Sequence, residues 1–143
     1  MGRLATFAEL ESDLFKRVIA GADHELTGCR VHSIDKAWDG LHVVLRSKEG
    51  PLSLAITGDR RHPQGGHSLD EFIQGKHEYY IALMSPRLVQ EVAAALTNVT
   101  AKKFRQWARE AGGDPTCAVF LPQLRRAYRE AAAEKNGLMI VIA

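Results

Sequence analysis

The chain has 143 residues, of which 45% are hydrophobic and 25% charged, with a formal net charge of +2. That is an ordinary globular composition, long enough for one domain with a sizeable core. It excludes binding to nucleic acid by net charge alone, and no apolar run approaches the roughly 18 residues that span a bilayer.

The start, "MGRLATFAELESDLFKRV", carries acids where a signal peptide would be apolar, so the expected location is the cytoplasm. "MGRLAT" formally fits the myristoylation pattern, but the match is short and no membrane partner is expected. Cys29 and Cys117 lie far apart and form no Cys-x-x-Cys pair, so both are expected as reduced thiols. Charge is uneven: residues 1–50 hold 7 Lys+Arg against 8 Asp+Glu, and residues 51–143 hold 12 against 9. The basic excess sits in "DRRH", "KKFRQWAR" and "QLRRAYRE", which read as solvated faces.

Residues 3–9 are ambiguous on their own, since Thr6 and Glu9 have capping-box spacing and Leu4 and Phe7 lack strand spacing. A helix is expected over about 11–20, with Leu14, Phe15 and Val18 inward and Gly21 as its stop. "SIDKAWDGLHVVL" predicts a helix over about 34–46. In that reading Ser33 is the N-cap and Asp35 lies in the first turn, where the helix dipole favours an anion. Ile34, Trp38, Leu41, His42 and Leu45 then form one stripe, with Asp35 and Asp39 on another face.

"PLSLAI", 51–56, reads as a short strand, and "TGDRRHPQGGH", 57–67, as an exposed, mobile loop. Ser68 and Glu71 predict a capping box on a short helix ending at Gly75, and "EYYIALM", 78–84, reads as a strand. Ser85 and Pro86 open a helix with Val89, Val92, Ala93 and Leu96 inward. Thr100 caps the next, with Phe104, Trp107, Ala108 and Ala111 inward and Gly112-Gly113 at its end. The last helix runs to about 135, begun or kinked by Pro122, with Phe120, Leu124, Ala127, Tyr128 and Ala131 as its stripe. "LMIVI", 138–142, is apolar on both faces and so is expected at the centre of a sheet.

"IDKAWDGLHVVL", together with "LMSPRLVQEVAAAL" and "FLPQLRRAYREAAAEKNGLMIVI", resembles the YfbM-like bacterial family, a domain of unknown function, over nearly the whole chain. The "GDRRHPQGG" loop matches no pattern of that family. The resemblance implies a single α+β domain over 1–143, a small mixed sheet with a C-terminal strand, and about five or six helices around it. It also makes residues 3–8 a strand. It implies no reaction.

Chemistry is sparsely signalled. Asp35 and His42 are two helical turns apart and could pair as orienter and base, but the sequence nominates no nucleophile. The expected arrangement puts Trp38 and Leu41 in the core, with His42 hydrogen-bonded through one nitrogen. His62 and His67, with Asp59 or His77 as a third, could ligate a metal. Their spacing is not a metal signature, so no metal or cofactor is expected. "KKFRQWAR" interleaves bases and aromatics, but Phe104 and Trp107 lie on the inward stripe and cannot stack on bases.

The expected function is therefore non-enzymatic binding of a protein partner. The concrete form is an immunity protein that neutralises a cognate toxin, because small bacterial proteins of this sort are sometimes encoded beside toxins. The candidate contact residues are Asp59, Arg60, Arg61 and His62 in the loop, and Asp35 and Asp39 on the acidic face. The rival reading is a small-molecule-binding protein or weak enzyme with a pocket around Asp35, Trp38, Asp39 and His42.

Overall fold

A computed structural model describes residues 3–21, 28–63, 67–75 and 77–143. In chain order the elements are β1 (Ala5–Leu10), α1 (Ser12–Ile19), β2 (Val31–Asp35), α2 (Trp38–Leu45), a 3-10 turn (Gly50–Leu54), β3 (Arg60–Arg61), α3 (Leu69–Ile73), β4 (Tyr80–Met84), α4 (Pro86–Thr97), α5 (Ala101–Ala111), a second 3-10 turn (Pro115–Phe120), α6 (Leu121–Ala133) and β5 (Gly137–Ile142). The α+β class, the six helices and the terminal strand are as the sequence implied.

The strands form one sheet in the order β2-β1-β5-β4-β3. β5 is its middle strand, as its two-sided apolar sequence demands. All four pairings are antiparallel, where a mixed sheet was expected. Each face of the sheet has its own core. Phe7, Ala82, Leu138 and Ile140 join the larger core with α2, α4, α5 and α6, and Ala8, Leu10, Leu83 and Met139 join a smaller one with Phe15 and Val18 of α1. Tyr128 of α6 stacks edge-on against Phe7 at 5.9 Å and donates its hydroxyl to the Ala55 carbonyl, which satisfies the polar end of a fully buried phenol. Gly137 opens β5 where α1 crosses, and a Cβ there would lie 2.7 Å from Phe15 Cδ2 and 2.9 Å from the Met84 carbonyl oxygen.

Three expectations are corrected. The helix expected over 34–46 is a strand followed by a shorter helix. Ile34 is buried from the sheet, not from a helix stripe, and Asp35 takes φ 55 at the strand's end. That left-handed turn resets the chain before α2, whose N-cap is Ala37, not Ser33. Trp38, Leu41, His42 and Leu45 do form the buried face of α2. Secondly, 51–56 is no strand, because Pro51 sits in the first turn of a 3-10 segment. Thirdly, 57–67 is not simply an exposed loop. Arg60 and Arg61 pair with Leu83 and Ala82 as the edge strand β3, and His62 is buried; residues 64–66 lie outside the described ones.

The caps divide. Ser68 and Glu71 form the expected capping box, and Thr100 accepts from the Lys103 N–H at 3.0 Å. Ser85 caps nothing with its own side chain. Both thiols are free and half-buried, and burial raises the pKa of each. No helix among the described residues is long and apolar enough to cross a membrane.

Candidate functional site

The segment 57–61 is tied to β4 before it can act on anything else. Gly58 takes φ +80 with its Cα so close to β4 that a Cβ would lie 2.8 Å from the Leu83 carbonyl oxygen; only glycine fits there. The next N–H, that of Asp59, donates to the same carbonyl at 3.0 Å. Asp59 then turns its carboxylate to the start of α4, accepting from the Ser85 N–H at 2.9 Å and the Ser85 hydroxyl at 3.0 Å. Asp59 thus serves as the helix cap that Ser85 does not provide for itself.

Arg60 and Arg61 follow with exposed side chains on the outermost strand. Both arginines line one cleft at this sheet edge. Beside them Thr57, Ser68, Leu69 and Tyr80 line a cleft of about 190 Å³, floored by the Tyr80 hydroxyl, which donates to the Thr57 carbonyl. Past Thr57, Ser68 and Leu69 a second hollow of about 250 Å³ opens, walled by His42, Arg46 and Asp70. His42 is buried, and among the described residues its Nδ1 has no hydrogen-bond partner. Burial lowers its pKa, Arg46 lowers it further and Asp70 opposes both, so the site favours the neutral ring.

The candidates from sequence therefore scatter. Arg60 and Arg61 are exposed, Asp59 bonds to Ser85 and His62 is buried. Asp35 and Asp39 are exposed but contribute to neither hollow, and Asp39 Oδ1 accepts from the Gly40 N–H at 2.8 Å. Trp38 is core, 7% exposed, packed 6.0 Å from the Phe72 ring with its indole N–H donating to the Arg3 carbonyl at 2.9 Å. Of the expected pocket's members His42 lines one of these hollows, and among the described residues its Nδ1 has no hydrogen-bond partner. Of the histidines weighed for metal, His67 stacks on His77 at 3.8 Å and bonds the Tyr79 carbonyl at 2.7 Å.

A second polar centre went unread in the sequence. Glu9 lies inside β1 and is 4% exposed. Its Oε2 is 2.7 Å from His32 Nε2 of β2, and its Oε1 accepts from Asn136 at 3.1 Å. The other ring nitrogen, His32 Nδ1, is 3.5 Å from Glu130 Oε2 of α6, which also accepts from Arg126 Nε at 3.2 Å. Arg30 Nη1 stands between the two carboxylates, 3.6 Å from Glu9 and 3.9 Å from Glu130. Open clefts of about 620 and 400 Å³ adjoin this centre on either side of Arg30. A carboxylate in the middle of the apolar run "TFAEL" was the available signal.

Comparison with known proteins gives the chain a family but no reaction. The crystal structure of YfbM from Escherichia coli, a protein of unknown function, superposes with a TM-score of 0.59 over 98% of this chain and 99% of that one, at 21% identity. That likeness is one of fold. No curated protein matches. The family profile described as "Domain of unknown function (DUF1877)" matches residues 1–110, and the chain belongs to that family.

Proposed function

We propose that this protein acts by binding a protein partner, which approaches the β3 edge and lays acidic groups between Arg60 and Arg61. The supporting observation is their placement: two exposed arginines on adjacent residues of an edge strand, both lining one cleft. A partner that meets the sheet edge-on reaches both at once, and each guanidinium can take a carboxylate bidentately. Arg46, in the adjoining hollow, extends the basic character away from the edge. In its concrete form the partner is a bacterial toxin with an acidic active site, and the protein is its immunity factor. Reversal of both charges, Arg60→Glu with Arg61→Glu, should slow association most at low salt and leave the fold intact. Unchanged binding by the folded double variant would remove the β3 edge from consideration.

A second reading has its own observation. His42, whose pKa burial lowers, walls a hollow of about 250 Å³, a volume suited to a small polar molecule and below the usual range for larger ligands. Thermal shift against a metabolite panel, repeated with His42→Gln, tests it. A ligand whose shift survives that substitution does not use this hollow.

A further inference from the structure

We propose that Glu9, His32 and Glu130 form a binding site for a divalent transition-metal ion, zinc or manganese by the chemistry of the donors. One ligand atom from each residue lies within 4.8 Å of the other two. Two carboxylates and an imidazole are a donor set for such ions, and three protein ligands leave further positions open. β1 and β2 hold Glu9 and His32 on neighbouring strands, with the His32 register set by its pairing to Phe7. Glu130 comes from α6, which packs over the same face. A metal about 2.0–2.2 Å from each donor requires the donors to stand closer than the present outer limit. The Glu130 side chain is 27% exposed and supplies that movement by changing rotamer, while the strands keep the other two donors in place.

Two independent features point to a cation here. The first is the imidazole, which presents both nitrogens to carboxylates, at 2.7 and 3.5 Å. A metal can take one ring nitrogen in place of its carboxylate contact and leave the other nitrogen's contact to orient the ring. The second is Arg30. Its guanidinium stands between the two carboxylates beyond hydrogen-bonding distance of both, and its side chain is 52% exposed. It is a half-exposed positive charge already drawn to both carboxylates, which an incoming metal would displace into the adjoining clefts. Asn136 on Glu9 and Arg126 on Glu130 would remain as the outer hydrogen bonds that orient the carboxylates.

The test is calorimetric titration of the chelator-treated full chain with zinc chloride and, separately, manganese chloride, alongside Glu130→Gln, His32→Gln and the control His67→Gln. A melting curve confirms that each variant is folded. Glu130→Gln alters a half-exposed helix residue and is retained as the deciding variant if His32→Gln does not fold. Saturable binding of one ion per chain is expected for at least one of the metals. It should weaken at least about 10-fold in Glu130→Gln and in folded His32→Gln, with His67→Gln unchanged. Cobalt substituted in the parent should give a visible spectrum that Glu130→Gln alters. No saturable binding by the parent, or an affinity that Glu130→Gln leaves unchanged, overturns the proposal and leaves a closed ion-pair network.

Discussion

Asp59 holds Ser85 by both carboxylate oxygens, one on the backbone N–H and one on the hydroxyl, across 26 residues of chain. The contact joins the segment that carries Arg60 and Arg61 to the first turn of α4, so the proposed binding edge is built on a helix cap. Asp59→Ala should cost about 1–2 kcal/mol, the usual range for a lost cap. Asp59→Asn, which keeps one acceptor oxygen, should cost less. Urea denaturation of the two variants checks this. Parent-like stability in Asp59→Ala would show that the segment is held by β3 alone.

Trp38 fills the core at the head of α2. Trp38→Ala should lose about 3–5 kcal/mol, and Trp38→Phe should keep most of the packing while giving up the indole bond to the Arg3 carbonyl. Thermal melting separates them. An alanine variant that melts like the parent would move Trp38 out of the core.

Gly40 lies on α2 where the second 3-10 turn crosses it, and an added Cβ would run into Cys117 Sγ. In an exposed helix, glycine to alanine gains roughly 0.5–1 kcal/mol; here Gly40→Ala should instead destabilise by about 1–3 kcal/mol through overpacking. Cys117→Ala should relieve much of that loss in the double variant, giving a non-additive cycle. Additive losses would mean that the two positions do not touch.

His42 gives the fold a pH dependence of defined sign. Burial holds its folded pKa below the ordinary value of 6.5, so the unfolded chain takes up a proton first as pH falls. This contribution to stability is complete above about pH 6.5 and is lost as pH falls toward the lower folded value. Denaturation curves between about pH 7.5 and pH 5 should lose stability, and His42→Gln should lose less over the same range. An equal slope in parent and variant contradicts the assignment.

Strand β5 was legible from composition alone, because "LMIVI" has no polar face to give to solvent. The helices from Ser85 onward were legible because their apolar periods run for three turns or more. "SIDKAWDGLHVVL" misled because a strand residue, Ile34, falls in phase with the helix that begins four residues later; the reversal at Asp35 depends on a φ that local pattern does not display. "PLSLAI" misled because a short apolar run fits a buried turn as well as a strand. The capping role of Asp59 and the meeting of Glu9, His32 and Glu130 were illegible for a common reason: each joins residues that only the fold brings together. His42 was visible as a stripe residue, but the burial of its Nδ1 is a property of the finished packing.

Quantitative affinity capture from a lysate of the source organism tests most directly whether Arg60 and Arg61 present the binding edge. Parent, Arg60→Glu/Arg61→Glu and a distant charge-reversal control, Arg105→Glu/Arg109→Glu on α5, would serve as baits at low salt and at about 0.5 M salt, where exposed charges are largely screened. One protein should be retained by the parent and the control, lost with the β3 double reversal, and weakened by salt. Equal retention of that protein by the folded β3 variant, or retention by none of the baits, would contradict it.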